Sequence, residues 1–195
     1  MYPRNIAYHV VTDRPMYAGQ ILTFDENTTT GVCRRVMDRR GEAERIYAHP
    51  EQFCAEELEH HTRVALRELA MEQIRREKYP QLPSRMNCLY VSKTMEEAEM
   101  WARLFVQWGR PTWHIVKVEL KGGLFEGDAN NCFDASTDRR QNLAWAERYW
   151  QNLPNLRGEP VIRELLADGE IEVLEIVREI CGNIRETGET GEKKK

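Results

Sequence analysis

Five side chains with useful chemistry lie at predicted strand ends and helix starts, where binding sites usually form: His9, Tyr90, Ser92, Trp101 and Glu164. A glutamate carboxylate stabilises positive charge that develops nearby, and it can hold a hydroxyl group. Flat aromatic rings hold a planar ligand and fix its angle. A neutral histidine supplies one hydrogen-bond donor and one acceptor. These five residues therefore form the candidate site in the sequence.

Each candidate residue also has a purely structural interpretation. His9 lies in an apolar strand, where a histidine is commonly half-buried and hydrogen-bonded. Trp101 shares a helical stripe with Ala98 and Leu104, as a core residue would. Glu164 has several glutamates close by in the sequence, as an exposed strand residue would. The functional interpretation requires that these side chains, which are far apart in the chain, meet at one cavity.

The sequence gives little support to metal or nucleophile chemistry. Cys54, Glu57 and His61 share one helical face, but convincing further metal ligands are lacking. The five cysteines are scattered without a C-x-x-C pair, so we expect reduced thiols in a cytoplasmic protein. No segment approaches the roughly 18 apolar residues of a membrane span, and the formal net charge of −4 gives no global signature of nucleic-acid binding. We therefore predict neither a metal site nor membrane contact.

The candidate residues are distributed over short strands and helices without regular alternation. Apolar runs and turn signals predict strands over residues 6–11, 88–92, 113–120, 164–166 and 171–176, and helices over residues 51–78, 95–108 and 143–150. Thr94 and Glu97 match a capping box. The charged residues of the first helix are interpreted as a solvated surface. Residues 16–50, apart from one short helix, and residues 121–140 are predicted to be irregular.

The order of these elements bounds the fold class. No glycine-rich phosphate loop follows a predicted strand, so a doubly wound parallel sheet is not expected. A turn over residues 167–170 predicts that the last two strands form a hairpin. We therefore expect an α+β domain with a mostly antiparallel sheet and flanking helices, covering residues 1–181. Residues 182–195 are rich in Gly, Thr, Glu and Lys and predict a disordered tail.

In order and spacing, the candidate residues resemble the ADP-ribosyltransferase superfamily, in the branch that carries a histidine in its first strand. The resemblance covers about residues 8–176 and depends on three short motifs: Tyr8-His9, then Tyr90-Val91-Ser92 before a helix, then Glu164-Leu165-Leu166 before a glycine turn. Trp101, eleven residues after Tyr90, stands where the family usually has tyrosine. Glu159, in Gly158-Glu159-Pro160, is a rival for the acidic position.

The resemblance implies a split antiparallel sheet and a site that uses NAD as a substrate. His9 would hydrogen-bond the adenosine ribose, Tyr90 and Trp101 would sandwich the nicotinamide, and Ser92 would give local support. Glu164 would be catalytic. Cleavage of the nicotinamide–ribose bond builds oxocarbenium character on the sugar, which a nearby carboxylate stabilises. That reaction requires no metal.

The resemblance also implies partners. We expect ADP-ribose transfer to a macromolecular acceptor, either nucleic acid or protein, by a cytoplasmic toxin or effector with a neutralising antitoxin or immunity protein. Ile162 stands where the family's protein-modifying toxins often place a second acidic or amide residue, which argues against arginine modification. A basic cluster at residues 34–40 is either a solvated patch or a contact for a phosphate of NAD or of a nucleic acid.

Two alternatives remain open at this point. The first is an NAD-dependent enzyme that removes an RNA 2′-phosphate, although the set of basic side chains typical of that group is not evident in the sequence. The second is a catalytically inactive binding module of the same fold, because a fold does not by itself imply activity.

Overall fold

The structure of the protein, a computed structural model, describes residues 5–25 and 27–180. The regular elements, in chain order, are β1 (Ile6–Val11), β2 (Ile21–Phe24), α1 (Gly31–Asp38), α2 (Arg40–Ala48), α3 (His60–Lys78), β3 (Leu89–Val91), α4 (Met95–Gln107), β4 (His114–Leu120), β5 (Leu124–Asp128), α5 (Arg139–Trp150), β6 (Arg163–Ala167) and β7 (Gly169–Glu179). The predicted tail at 182–195 lies outside the described residues.

Two antiparallel sheets form the centre of the molecule. One has the strand order β1-β4-β7-β2, and the other has the order β3-β6-β5. An isolated bridge between Tyr8 and Ser92, with hydrogen bonds of 2.9 and 2.7 Å, joins β1 to β3. The predicted α+β class, with antiparallel strand pairing, is confirmed.

Three apolar clusters hold the sheets and helices together. The cluster between the sheets draws on both of them and includes Val11, Val116 and Leu165. On the outer face of the first sheet, α4 packs through Ala98 and Ala102 against β1 and β4. On the outer face of the second sheet, α3 and α5 pack against β5 and β6. Both sheets are therefore covered on both faces over much of their area.

Helix α4 begins where the capping box predicted. The Thr94 hydroxyl accepts from the Glu97 N–H at 3.3 Å, and the Glu97 carboxylate accepts from the Thr94 N–H at 3.4 Å. These reciprocal bonds satisfy N–H groups that the first turn leaves free. The chain leaves the helix through Gly109, whose φ of +70° suits glycine. The capping box thereby fixes the start of the helix that carries Trp101.

Several sequence predictions about the elements were wrong. Residues 16–50 contain β2, α1 and α2, and residues 121–140 contain β5. The predicted helix over 51–78 begins only at His60, because short 3-10 turns occupy Pro50–Gln52 and Ala55–Glu57. These pieces are short and half-buried, so their apolar periods are too brief to recognise.

The predicted hairpin of the last two strands was also wrong. Only Asp168 separates β6 from β7, yet the two strands belong to different sheets. The turn residues were recognised correctly, and Gly169 has a φ of +74°. Strand β6 pairs with β3 and β5, and β7 pairs with β4 and β2. Both hydrogen-bonding edges of each strand are therefore occupied, and the two strands cannot also pair with each other.

Candidate functional site

The candidate residues lie on three neighbouring strands and one helix. Val91 pairs with Leu165, so the next position along each strand sets Ser92 beside Glu164. Strand β1 joins this pair through the bridge of Tyr8 to Ser92. The register therefore brings β1, β3 and β6 together at one point, although their sequences are separated by about 80 and 70 residues.

Glu164 is held by one carboxylate oxygen and is 7% exposed. Its Oε1 accepts from the Arg85 guanidinium, from the Tyr149 hydroxyl at 2.7 Å and from the Cys132 thiol at 3.5 Å. Its Oε2 has no hydrogen-bond donor among the described residues, and it is not enclosed by protein. One oxygen is thus fully anchored, while the other remains free to meet a ligand.

The anchor of Glu164 belongs to a buried ionic network. Arg85, 5% exposed, donates from Nε to Glu68 Oε2 at 2.9 Å and also contacts Glu164. Arg67 contacts Glu68 at 3.0 Å. Burial alone would raise the pKa of Glu68, but the positive charges of Arg85 and Arg67 outweigh it and lower that pKa. Two carboxylates and two guanidinium groups therefore compensate one another inside the fold.

The two neutral donors to Glu164 remain protonated. Burial raises the pKa of the Tyr149 hydroxyl and of the Cys132 thiol. Each group can therefore donate its proton to the carboxylate, which only accepts when ionised. This arrangement argues against Cys132 as a nucleophile, because the thiolate is the reactive form.

Tyr90 and Trp101 flank this network. The Tyr90 hydroxyl donates to the Arg85 carbonyl at 2.9 Å, and the Arg85 guanidinium lies 5.6 Å from the Tyr90 ring centroid. Trp101 Nε1 donates to the carbonyl of Arg163, the neighbour of Glu164, at 3.2 Å. Both rings pack against the same apolar cluster. The structure thus brings Tyr90, Trp101 and Glu164 together.

His9 lies at the same junction but on the other face of the sheet. Strand alternation places it with Ala7 and Val11, whereas Tyr8 lies under α4. The His9 Nδ1 donates to the Tyr90 carbonyl at 2.7 Å, in place of the next backbone bond between β1 and β3. The imidazole therefore spans the gap that opens where these strands diverge.

The His9 ring is neutral and has one open nitrogen. Burial lowers its pKa to about 4, more than the bond to Tyr90 raises it, and the charge of His114 lowers it further. Because Nδ1 donates to a carbonyl, the neutral ring presents Nε2 as an acceptor. Nε2 has no partner among the described residues and is not enclosed. Ser92 Oγ, in a residue 3% exposed, likewise forms no hydrogen bond in the described chain.

The rival acidic residue has a different environment. Glu159 is exposed in the loop before β6, where its backbone bonds Asn155. A cavity of about 270 Å³ lies near this loop, lined by residues that include Asp128, Leu153 and Val161. None of the five candidate residues lines that cavity.

Arg85, Glu68 and Tyr149 were not identified from the sequence. Arg85 lies in a loop without a motif, between Pro83 and Cys88. The interpretation of the α3 charges as a solvated surface was wrong for Glu68 and Glu72, which are buried. A signal did exist, because Glu68 follows Ala65 by three residues and therefore falls within the apolar stripe of α3.

Two features are absent from the part of the chain that the structure describes. No three His, Cys, Asp or Glu side chains there are grouped as metal ligands would be. No helix there is long and apolar enough to cross a membrane.

Comparison with known families identifies the family to which the chain belongs. A family model described as a protein of unknown function, DUF2441, matches residues 7–179. The chain belongs to the DUF2441 family. The match spans β1 to β7 and therefore includes every candidate residue of this DUF2441 member. No curated protein matches the chain.

Proposed function

We propose that this DUF2441 protein transfers ADP-ribose from NAD to a macromolecular acceptor, with Glu164 as the catalytic carboxylate. The proposal depends on a difference between the two carboxylate oxygens of Glu164. Three donors hold Oε1, whereas Oε2 has no donor among the described residues. A buried carboxylate with an unused oxygen is what a reaction with a cationic transition state requires. The residues that surround it suit a dinucleotide.

The chemistry follows from the position of the open oxygen. When the bond between nicotinamide and ribose breaks, its electron pair leaves with nicotinamide and the sugar gains oxocarbenium character. Glu164 Oε2 would stabilise that charge and accept a hydrogen bond from a ribose hydroxyl. The acceptor's O–H or N–H group then attacks the anomeric carbon, and its proton passes to Glu164 or to water. Arg85 holds the carboxylate in place and orients it.

The other candidate residues would bind the dinucleotide. Arg85 occupies one side of the Tyr90 ring, so the opposite ring face would receive nicotinamide, with Trp101 as the second aromatic wall. His9 Nε2 would accept from a hydroxyl of the adenosine ribose. Because His9 faces the other side of the sheet, a ligand that contacts both His9 and Glu164 would have to separate β1 from β3 near the Tyr8–Ser92 bridge. Ser92 lies at that bridge.

The first test measures nicotinamide release from NAD by purified protein. We expect Glu164→Gln to lower the rate by about 100-fold or more, since a preorganised electrostatic contact of this kind is lost. Glu159→Gln, the same change at the rival position, should leave the rate unchanged. Thermal melting checks that both variants are folded. Equal rates for wild type and Glu164→Gln would refute the catalytic role.

The second test identifies the acceptor class. Extract incubated with protein and NAD labelled in the ADP-ribose moiety is divided and treated with nuclease or protease. Label that survives protease but not nuclease assigns a nucleic-acid acceptor, and the reverse result assigns a protein.

A second candidate function is an inactive module that binds NAD without cleaving it. The observation that favours it is the burial of Glu164 against Arg85, which neutralises part of the carboxylate's charge. Isothermal titration separates the two functions. Binding of NAD by wild type, without release of nicotinamide under any acceptor condition, would favour the inactive module.

A further inference from the structure

A row of aromatic rings follows α4 away from the candidate site. Trp101, Phe105 and Trp108 occupy successive turns, with ring centroids 5.8 and 6.0 Å apart. We refer to these three residues as the aromatic row. Trp101 begins it beside the Arg163 carbonyl, and Trp108 ends it with 54% of its surface exposed. A tryptophan in an apolar core would not be this exposed, so the aromatic row is a candidate binding surface.

Uncompensated positive charge lies at the exposed end of the aromatic row. The Arg110 guanidinium lies 4.4 Å from the Phe105 ring centroid and approaches Thr12 at 3.5 Å. Burial lowers the pKa of Arg110, and the positive charge of Arg35 lowers it further, so the two guanidinium groups are within electrostatic range. Neither forms an ion pair with a carboxylate in the described chain, whereas Arg40 pairs with Glu44.

A second exposed tryptophan adjoins this end. The Trp113 backbone donates to the Val11 carbonyl at 2.9 Å, which places Trp113 next to Thr12, and the residue is 43% exposed. The surface therefore combines two exposed indole rings with two arginines that lack counter-ions. It does so although the whole chain has a formal net charge of −4.

We propose that the aromatic row, with Trp113, Arg110 and Arg35, binds single-stranded nucleic acid. Unstacked bases are held by aromatic faces and the phosphates by unpaired guanidinium groups, a combination that a protein partner does not require. The row leads toward Glu164, so the strand is also the acceptor of ADP-ribose. That acceptor role rests on the proposed function, whereas the binding itself does not.

The test is fluorescence anisotropy with labelled single-stranded RNA and DNA of one mixed sequence, about 12 nucleotides long, and with the matching duplex. We expect the single strands to bind more tightly than the duplex. Trp108→Ala should weaken single-strand binding about tenfold, because one stacked base is lost. Leu156→Ala, which removes an apolar side chain that is 69% exposed on a distant loop, should leave binding unchanged.

Salt dependence tests the arginines separately. Each phosphate contact to a single strand contributes about 0.7 to the slope of log affinity against log salt, so Arg35→Gln with Arg110→Gln should reduce the slope by about 1.4. Arg40→Gln, which removes a paired arginine, should not change it. Absence of binding to any oligonucleotide at low salt, or binding that Trp108→Ala leaves intact, overturns the inference.

Nicotinamide release without acceptor distinguishes this inference from the proposed function. Trp108→Ala should keep that release while weakening oligonucleotide binding about tenfold, which supports both. Release by wild type without any oligonucleotide binding overturns the inference alone. Oligonucleotide binding without release supports the binding surface and counts against the transferase. Light scattering tests a further outcome. If the protein dimerises, Trp108→Ala abolishes the dimer and no oligonucleotide binds, the aromatic row contacts a second copy of the chain and the inference is overturned.

Discussion

The outer faces of the two sheets are packed by different kinds of side chain. Under α4, the first sheet is covered by apolar side chains such as Val10, Ala98 and Ile115. Under α3 and α5, the second sheet has an apolar cluster and, within it, the buried ions Arg85 and Glu164 with their partners. Both faces exclude water, but only one of them retains charge.

The proposed role of Glu164 would account for this difference. Removing ions from water is unfavourable, and a hydrophobic replacement of similar size is often neutral or stabilising. The α4 face shows that this chain can cover a sheet without ions. The network of Arg85, Glu68 and Glu164 is therefore better explained by the carboxylate that it positions than by stability. The predictions below test the contrast between the two faces.

The largest effect is expected from Arg85→Met. This change leaves Glu68 and Glu164 buried without their shared cation, so the free energy of unfolding should fall by about 3–5 kcal/mol. Urea denaturation measures it. Lys78→Met, which removes a partner of an exposed ion pair with Glu147, should lower it far less.

If uncompensated charge causes the loss, the stability of Arg85→Met can be partly restored by removing the two carboxylates. Adding Glu68→Gln and Glu164→Gln to Arg85→Met removes the uncompensated charges, and we expect this triple variant to regain part of the lost stability. A triple variant less stable than Arg85→Met would show that packing, and not charge, governs this face.

A smaller effect is expected on the apolar face. Ile115 is fully buried under α4, so Ile115→Val should lower the free energy of unfolding by about 1 kcal/mol, through one lost methyl group. The loss should be the same at pH 5 and pH 8, because no titratable group is changed. A loss that varies with pH would mean that this face also responds to charge.

The last prediction concerns the pH dependence contributed by His9, which lies between the two sheets. Its pKa is lowered to about 4 in the folded protein, so the unfolded chain binds the proton more tightly. The stabilisation by neutral His9 is therefore complete above about pH 6.5 and is lost as the pH falls toward 4. Thermal melting of His9→Gln should show a weaker decline over this range than wild type. His49→Gln, at an exposed histidine, should show the wild-type decline.

Much of the fold near the candidate residues could be predicted from the sequence. Strand β1 is a short, mostly apolar run that contains His9, and the start of α4 has a local capping signal at Thr94 and Glu97. Signals of this kind act over a few residues and need no knowledge of the partner. The grouping of Tyr90, Trp101 and Glu164 was expected from the order of motifs in the family resemblance and not from these local signals.

The other features of the fold and of the site depend on contacts between residues that are far apart in the sequence. The strand partners of β6 and β7 are set by which sheet buries each strand, and the Asp168 turn does not encode that choice. Arg85 carries no local signal because its meaning comes from Glu68 and Glu164, 17 and 79 residues away. The opposite facing of His9 also escaped prediction, since the relation of β1 to β3 is set by contacts between residues about 80 positions apart.

Asp168 is the single residue between β6 and β7, and it therefore connects the two sheets through the backbone. Its backbone bonds Gly123 at 3.2 Å, and a side chain at Gly122 would collide with its carbonyl, so this corner is closed. At the other end of β6, the Tyr8–Ser92 bridge and the hydrogen bond from His9 to the Tyr90 carbonyl join the sheets. We expect any widening that admits a ligand to begin at this junction, beside His9 and Glu164, and not at the closed corner.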